Sequence, residues 1–180
     1  ELPIAREQYQ AALKQIGTLG GGNHFIEIQK GDDSHIWIMI HSGSRNFGLK
    51  IADYYNKLAI KLNAKWHSLV PRTWDLAFLP VDSEEGQSYI KEMNYAIDFA
   101  FANRKLMMGR IFDIFKNETG YYVLNNDRLE GMINIAHNYA SLENHFGENV
   151  MVHRKGATLA QTDTIGIIPG SQGSSSYIVK

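Results

Sequence analysis

The chain has 180 residues, 44% hydrophobic and 21% charged, with a formal net charge of −1 and no cysteine. This is the composition of a globular unit long enough to bury a core, and it excludes a disulfide scaffold, a thiolate metal site built from these residues and a bulk basic field. Any nucleic acid must therefore be held by a local patch. No apolar run reaches the roughly 18 residues of a membrane-spanning helix and no signal-like start is visible, so a cytoplasmic protein with no membrane partner is expected. The chain opens on Glu1 and stops at Lys180 inside "SSYIVK", which reads as an unfinished strand, so a segment of a longer protein is expected.

In chain order, residues 5–15, "AREQYQAALKQ", place Ala5, Tyr9, Ala12 and Leu13 on one side of a short amphipathic helix that ends at Gly17. After three glycines, "HFIEIQ" alternates Phe25, Glu27 and Gln29 against Ile26 and Ile28; Asp32 and Asp33 form a turn, and "HIWIMIH" follows. This predicts two antiparallel strands. "SGSRNFG" is a loop, and "LKIADYYNKLAIKLNAKWH" is helical through Ile51, Tyr54, Tyr55, Leu58 and Leu62. Ser68 to Pro80 is irregular, with Pro71 and Pro80 as breakers.

From Asp82 to Asn117 the pattern predicts one long helix, capped by Asp82 or Ser83, with Glu84 and Glu85 in its first turn and a break at Asn103 or Gly109 as an alternative. Its Tyr95, Phe99, Phe101, Met107, Met108, Phe112 and Phe115 read as packing residues, and Glu84, Glu85 and Glu92 as a solvated face. The last third holds short β-like runs: "GMINIAHNYASLENH", "NVMVHRKG", "TIGIIPG" and "SSYIVK". The fold class is α+β in one segment, 1–180, with a mostly helical insert over 50–118.

Three of the seven histidines share a setting. His24 opens a strand, His41 ends one, and His137 ends "INIA", each where a β-like run meets a polar loop. Imidazoles at such strand ends can be collected by a metal, and neutral imidazole suits Mn, Fe, Ni, Cu or Zn. Three unrelated histidines, each satisfied by local hydrogen bonds, is the competing reading. His35, His67, His145 and His153 lack that context and read as surface or structural. "GTLGGGN" and "PGSQGSSS" offer backbone N–H groups and hydroxyls that can wrap an anion or a base edge, or serve only as turns; neither is a Walker or Rossmann loop. Arg45, Arg154 and Lys155 can supply the positive charge of a phosphate site, or be solvated cations.

Four strings, "GTLGGGNHFIEI", "HSGSRNFG", "IAHNYASLENH…VHRKGAT" and "GIIPGSQGSSSYIV", resemble in order the signature blocks of the RtcB family of RNA ligases, from residue 17 to 179. The resemblance implies an RtcB-like fold, with mixed or antiparallel sheets, a helical insert and a catalytic centre at strand ends. It also implies an enzyme that uses GTP and Mn2+, two ions being expected. Such an enzyme joins RNA 2′,3′-cyclic phosphate or 3′-phosphate ends to 5′-hydroxyl ends, in tRNA splicing and RNA repair. His24, His41 and His137 match metal ligands. Asn23, His24, Phe25, Ile26, Glu27, His137, Asn138, Pro169, Gly170, Ser171, Gln172 and Ser176 match contacts to GMP or GTP. Arg45, Arg154 and Lys155 match contacts to RNA phosphate.

The family links GMP to a histidine, passes it to the RNA 3′-phosphate, and lets the 5′-hydroxyl displace it. That histidine belongs to an "HGAG" block, expected beyond Lys180, and the family's Asp and Cys ligands to a "DxGCG"-like block, expected upstream of Glu1. The segment is therefore expected to carry the histidine half of the metal site and not to complete guanylylation alone. Gln172, where methionine is more usual, and the variant "SGSRNFG" loop leave room for a divergent paralogue. A metal-dependent RNA phosphoesterase and a non-catalytic nucleotide or RNA-end binding module are the alternatives. The implied partners are RNA, as tRNA halves or broken ends, and an activating protein; a monomer is expected.

Overall fold

A computed structural model describes residues 2–120, 131–171 and 173–180. The chain divides into two compact units, Glu1–Arg128 and Leu129–Lys180. The described residues form helices and small two-stranded antiparallel sheets, a mixed α and β architecture. Among them no helix is long and apolar enough to cross a membrane.

In the first unit, helix α1 (Pro3–Gln15) precedes strands β1 (Phe25–Lys30) and β2 (Ile36–His41), helix α2 (Phe47–Lys65), a 3-10 turn at Arg72–Trp74, and helix α3 (Glu84–Thr119). α1 starts two residues earlier than the periodicity implied, because Pro3 is preorganised for a first helical turn. Its buried residues are Ile4 and Ala12, whereas Tyr9 and Leu13, expected inside, are exposed. Ile4, Phe47, Ile51, Tyr55 and Ala96 form the core, with Leu58, Leu79, Tyr89 and Phe99 packed around them. α2 turns Phe47, Ile51, Tyr55, Ala59 and Asn63 inward, while Tyr54 points out. Burial of a side chain such as Ile51 contributes roughly 1.5–3 kcal/mol.

Glu92 corrects the expectation of a solvated acidic face. It is completely buried, and its Oε1 accepts hydrogen bonds from the Ile4 and Ala5 N–H groups at 2.7 and 2.8 Å. Leu2 provides no side-chain cap for α1, so the orphan N–H groups and positive end of that helix draw the carboxylate in from α3. Burial, reinforced by this carboxylate, raises the Tyr55 phenol above its ordinary pKa.

α3 is capped by Ser83, whose Oγ accepts from the Gly86 N–H at 3.0 Å, and it runs unbroken through Asn103 and Gly109. The hairpin pairs Phe25 with His41 and Lys30 with Ile36. Phe25, Glu27 and Gln29 are half-buried, so the Ile26 and Ile28 face is the outer one.

In the second unit β3 (Asn138–His145) and β4 (Glu148–Lys155) form a hairpin, and β5 (Gly166–Ile168) pairs with β6 (Tyr177–Val179). "INIA" is not a strand: residues 132–136 have no regular structure, and His137 precedes β3 instead of ending a strand. The reason is pairing, since the neighbour of β3 is β4 and its register begins at Asn138 opposite Lys155.

Candidate functional site

At the open end of the β1–β2 hairpin, the register that sets Phe25 opposite His41 brings His24 and His41 together. Their ring centroids lie 6.0 Å apart, and the Phe25 ring stands 5.3 Å from that of His41. His24 Nδ1 lies 2.9 Å from the Leu19 carbonyl oxygen. A carbonyl can only accept, so Nδ1 carries the proton and Nε2 of the neutral ring keeps the lone pair. Nε2 faces Gly43, where a Cβ would stand 4.0 Å away. Fixing the far nitrogen in this way is how proteins orient an imidazole for metal binding.

The glycine turn is shaped around this ring. Gly20 has φ +94°, and a Cβ on it would lie 2.6 Å from His24 Nδ1 and collide with Arg45 Nη1. A left-handed backbone with two side chains against Cα is a position for glycine alone. Arg45 itself has φ 55° and donates from Nε to Thr18 Oγ1 at 3.1 Å, which lays its guanidinium across the turn. Asn23 is exposed beside His24; Ile26 is exposed and Glu27 half-buried along β1.

Two loops, 17–24 and 42–46, build the site, and α3 holds them. Asn103 is fully buried. Its Oδ1 accepts from the N–H groups of Gly17 at 2.6 Å and Thr18 at 3.2 Å. Its Nδ2 donates to Thr18 O, Ser42 Oγ and Gly43 O at 3.2, 3.1 and 3.3 Å. Ser42 Oγ in turn donates to Leu19 O at 2.7 Å, the same oxygen that anchors His24. Arg104 donates to Ser42 O at 2.9 Å and Arg110 to Gly17 O at 2.8 Å. Burial pulls the Arg104 pKa down to about 10, which leaves it cationic at neutral pH. Sequence reasoning missed Asn103, Arg104 and Arg110 as positioning residues; the available signal was an asparagine on the apolar side of α3.

In the second unit His137 and Asn138 open the β3–β4 hairpin on the β3 side. The His137 carbonyl accepts from Ala157 N–H at 3.1 Å, and Asn138 Oδ1 accepts from Gly156 N–H at 2.8 Å. This pins the "HRKGA" turn to "AHN". Lys155 is exposed there. Arg154 is engaged differently: its two terminal nitrogens fork onto both oxygens of Glu143, Nη2 to Oε2 at 2.8 Å, and its guanidinium lies 5.5 Å from the Tyr139 ring centre. Hydrogen bonds from Arg154, Ser141 and His145 hold the Glu143 carboxyl well below the usual carboxylate range.

The loop between β5 and β6 is drawn tight by its own serines. Ser176 Oγ accepts from Gly170 N–H at 2.9 Å, and Ser174 Oγ accepts from Ser171 N–H at 2.8 Å. At Gly170 a Cβ would strike the Ser174 carbonyl, so only glycine closes the turn. Pro169 and Ser171 are exposed, and Gln172 lies outside the described residues.

His24 and His41 are a donor pair suited to a borderline metal ion, one of them with its lone pair already aimed. Among the described residues no group of three or more His, Cys, Asp or Glu side chains is placed to hold a metal. The first unit therefore fits part of a metal site, two imidazoles with further ligands still required.

A family model described as tRNA-splicing ligase RtcB matches residues 2–180. The RNA-splicing ligase RtcB of Escherichia coli is 41% identical over 168 residues, 93% of this chain and 41% of that protein. The tRNA-splicing ligases RtcB of Thermococcus kodakarensis and Methanococcus maripaludis are 32% and 34% identical, over 98% and 93% of this chain and 42% and 41% of theirs. The chain thus spans about two fifths of the length of the curated relatives it matches.

Proposed function

The chain belongs to the RtcB family of tRNA-splicing ligases, and from that premise we propose that it supplies part of the catalytic domain of an RNA ligase. The ligase joins 2′,3′-cyclic phosphate or 3′-phosphate ends to 5′-hydroxyl ends with GTP and Mn2+. The observation that carries the reading is the His24–His41 pair at the open end of the hairpin, with His24 Nδ1 held by Leu19 O and the Arg45 guanidinium alongside.

In this reading His24 and His41 are metal ligands through their imidazoles, and the Arg45 guanidinium receives RNA phosphate. Held by these two imidazoles and by further ligands, a manganese ion would supply positive charge to offset that of the phosphate groups. Asn103, Arg104 and Arg110 keep the two loops in register, so that the imidazoles are preorganised before metal or nucleotide arrives. In the second unit His137 is a metal ligand, Asn138 a nucleotide contact and Lys155 a phosphate contact. Arg154 stiffens the hairpin through Glu143 and offers phosphate only the N–H groups which that carboxylate leaves over. The serine-lined turn 169–176 holds the guanine nucleotide.

The test is incubation of the full-length protein with radiolabelled GTP and manganese, resolved on a denaturing gel, beside His24→Ala and His41→Ala variants. A covalent, manganese-dependent label that both variants lose is the expected result. Absence of label on the unaltered protein, or its persistence in both variants, overturns the proposal.

A further inference from the structure

The arginines of this chain are anchored by different kinds of group. A carboxylate holds Arg154, and backbone carbonyls hold Arg104 and Arg110. Arg45 is held by a neutral hydroxyl, that of Thr18, and among the described residues no carboxylate pairs with it.

The polarity of that contact is forced. Arg45 Nε can only donate, so the Thr18 oxygen accepts, and its own proton goes to the Gln15 carbonyl on the last turn of α1. The Thr18 main chain is fixed on both sides, its N–H on Asn103 Oδ1 and its carbonyl on Asn103 Nδ2, each at 3.2 Å. The hydroxyl is thus an immobilised acceptor, and it stands at the electronegative end of a helix. On the other side of the contact φ is 55° at Arg45 and 69° at Asn46, so the chain turns sharply where it carries the guanidinium to Thr18.

These contacts decide which edge of the guanidinium is open. A guanidinium grips a phosphate in a fork through Nε and Nη2 or through Nη1 and Nη2. With Nε committed to Thr18, the first fork is spent. Nη1 packs over Gly20, where the missing Cβ leaves it room, and the fork that remains is Nη1 with Nη2.

We propose that Thr18 is a positioning residue for the RNA terminus: its hydroxyl holds Arg45 so that the Nη1 and Nη2 edge meets a terminal phosphate, and it does so without neutralising the charge that the phosphate needs. A carboxylate in its place would fix the arginine and compete with the phosphate, as Glu143 does at Arg154. An untethered side chain would lose rotamer freedom on binding. The inference rests on the ligase reading, in which Arg45 receives RNA phosphate.

The experiment measures, by fluorescence anisotropy, binding of two RNAs of ~10 nucleotides to the full-length protein, one ending in a 3′-phosphate and one in a 3′-hydroxyl. The ratio of the two affinities reads the terminal phosphate alone. Thr18→Val keeps the shape and removes the hydroxyl, Thr18→Ala removes it without crowding the turn, and Thr18→Ser retains it. Both hydroxyl-free variants are expected to lower the ratio by about 5-fold, the net worth of one hydrogen bond, and Thr18→Ser to keep it near the parent value. In parallel the Arg45 Nε–H resonance, identified by its absence in Arg45→Lys, should exchange with solvent faster in Thr18→Val and Thr18→Ala than in the parent or Thr18→Ser. An unchanged ratio without the hydroxyl overturns the proposal even where the melting temperature falls, since a hydroxyl that only caps α1 would act on stability alone. An unchanged Nε–H resonance overturns it as well. If the unaltered protein is labelled by radioactive GTP in those cases, the ligase reading stands without Thr18; if it is neither labelled nor prefers the 3′-phosphate, both fall.

Discussion

The amide of Asn103 is the most consequential single group in the first unit, and replacing it by the similarly sized leucine isolates its polar role. One carbonyl and one NH2 group can make at most four full hydrogen bonds, and here they serve five partners in two loops: Gly17 N, Thr18 N, Thr18 O, Ser42 Oγ and Gly43 O. At a net ~1 kcal/mol each, with a larger penalty for any partner stranded out of reach of water, Asn103→Leu is expected to destabilise the unit by about 3–5 kcal/mol. That is a large fraction of the ~5–15 kcal/mol holding an ordinary domain together. All three tryptophans of this chain, Trp37, Trp66 and Trp74, lie in this unit, so selectively excited tryptophan fluorescence of the chain, followed through urea unfolding, reports on this unit and not on the second. Because the Leu19 carbonyl is tied to the same network through Ser42, the His24 Nδ1 proton should also exchange faster with solvent in the variant, as read by NMR. A midpoint shift worth less than ~1 kcal/mol, with an unchanged Nδ1 proton, would refute the assignment of Asn103 as the clamp between the loops.

Two further outcomes follow from the same geometry. Gly20→Ala should displace Arg45, disturb the His24 Nδ1 anchor and weaken manganese binding measured by electron paramagnetic resonance, whereas Gly21→Ala, whose Cβ meets nothing within 4 Å, should bind like the parent. Equal effects of the two substitutions would contradict the crowding argument. In the second unit the Glu143 carboxyl has a folded pKa below its unfolded one, so its ion pair stabilises the hairpin above the ordinary carboxylate range and that contribution is lost as the pH falls through the folded value. Arg154→Met should return Glu143 towards the usual ~4.3 and make the hairpin lose order at higher pH than the parent, followed by a carboxyl NMR titration. A Glu143 that still titrates low without Arg154 would show that Ser141 and His145 suffice.

Sequence pattern made the β1–β2 hairpin, the α2 and α3 helices and the Ser83 cap legible, because each is a local consequence of periodicity and turn chemistry. It read the inner face of β1 less well. Alternation says that Ile26 and Ile28 share a face but not which neighbour covers it, and here that face is exposed. The "INIA" run shows the same limit, since β-like composition does not supply a partner strand, and without one His137 stands before β3.

The polar framework of the site was harder to read for a more general reason. Glu92, Ala96, Phe99, Asn103 and Met107 recur at three- and four-residue intervals along α3 and define its inward side, so both polar members sit where an apolar residue is the ordinary choice. Taken by composition, a glutamate reads as solvated and an asparagine as a weak point in a helix. Taken by position, each announces a buried partner, because a polar group in that place is stable only when its hydrogen bonds are met. What position alone cannot name is the partner, since Glu92 reaches Ile4 and Ala5, and Asn103 reaches Gly17 and Thr18, across more than 80 residues of chain. The histidines could be picked out because they carry the chemistry themselves. The groups that aim them act through backbone carbonyls of the two loops, and a carbonyl leaves no mark on a sequence.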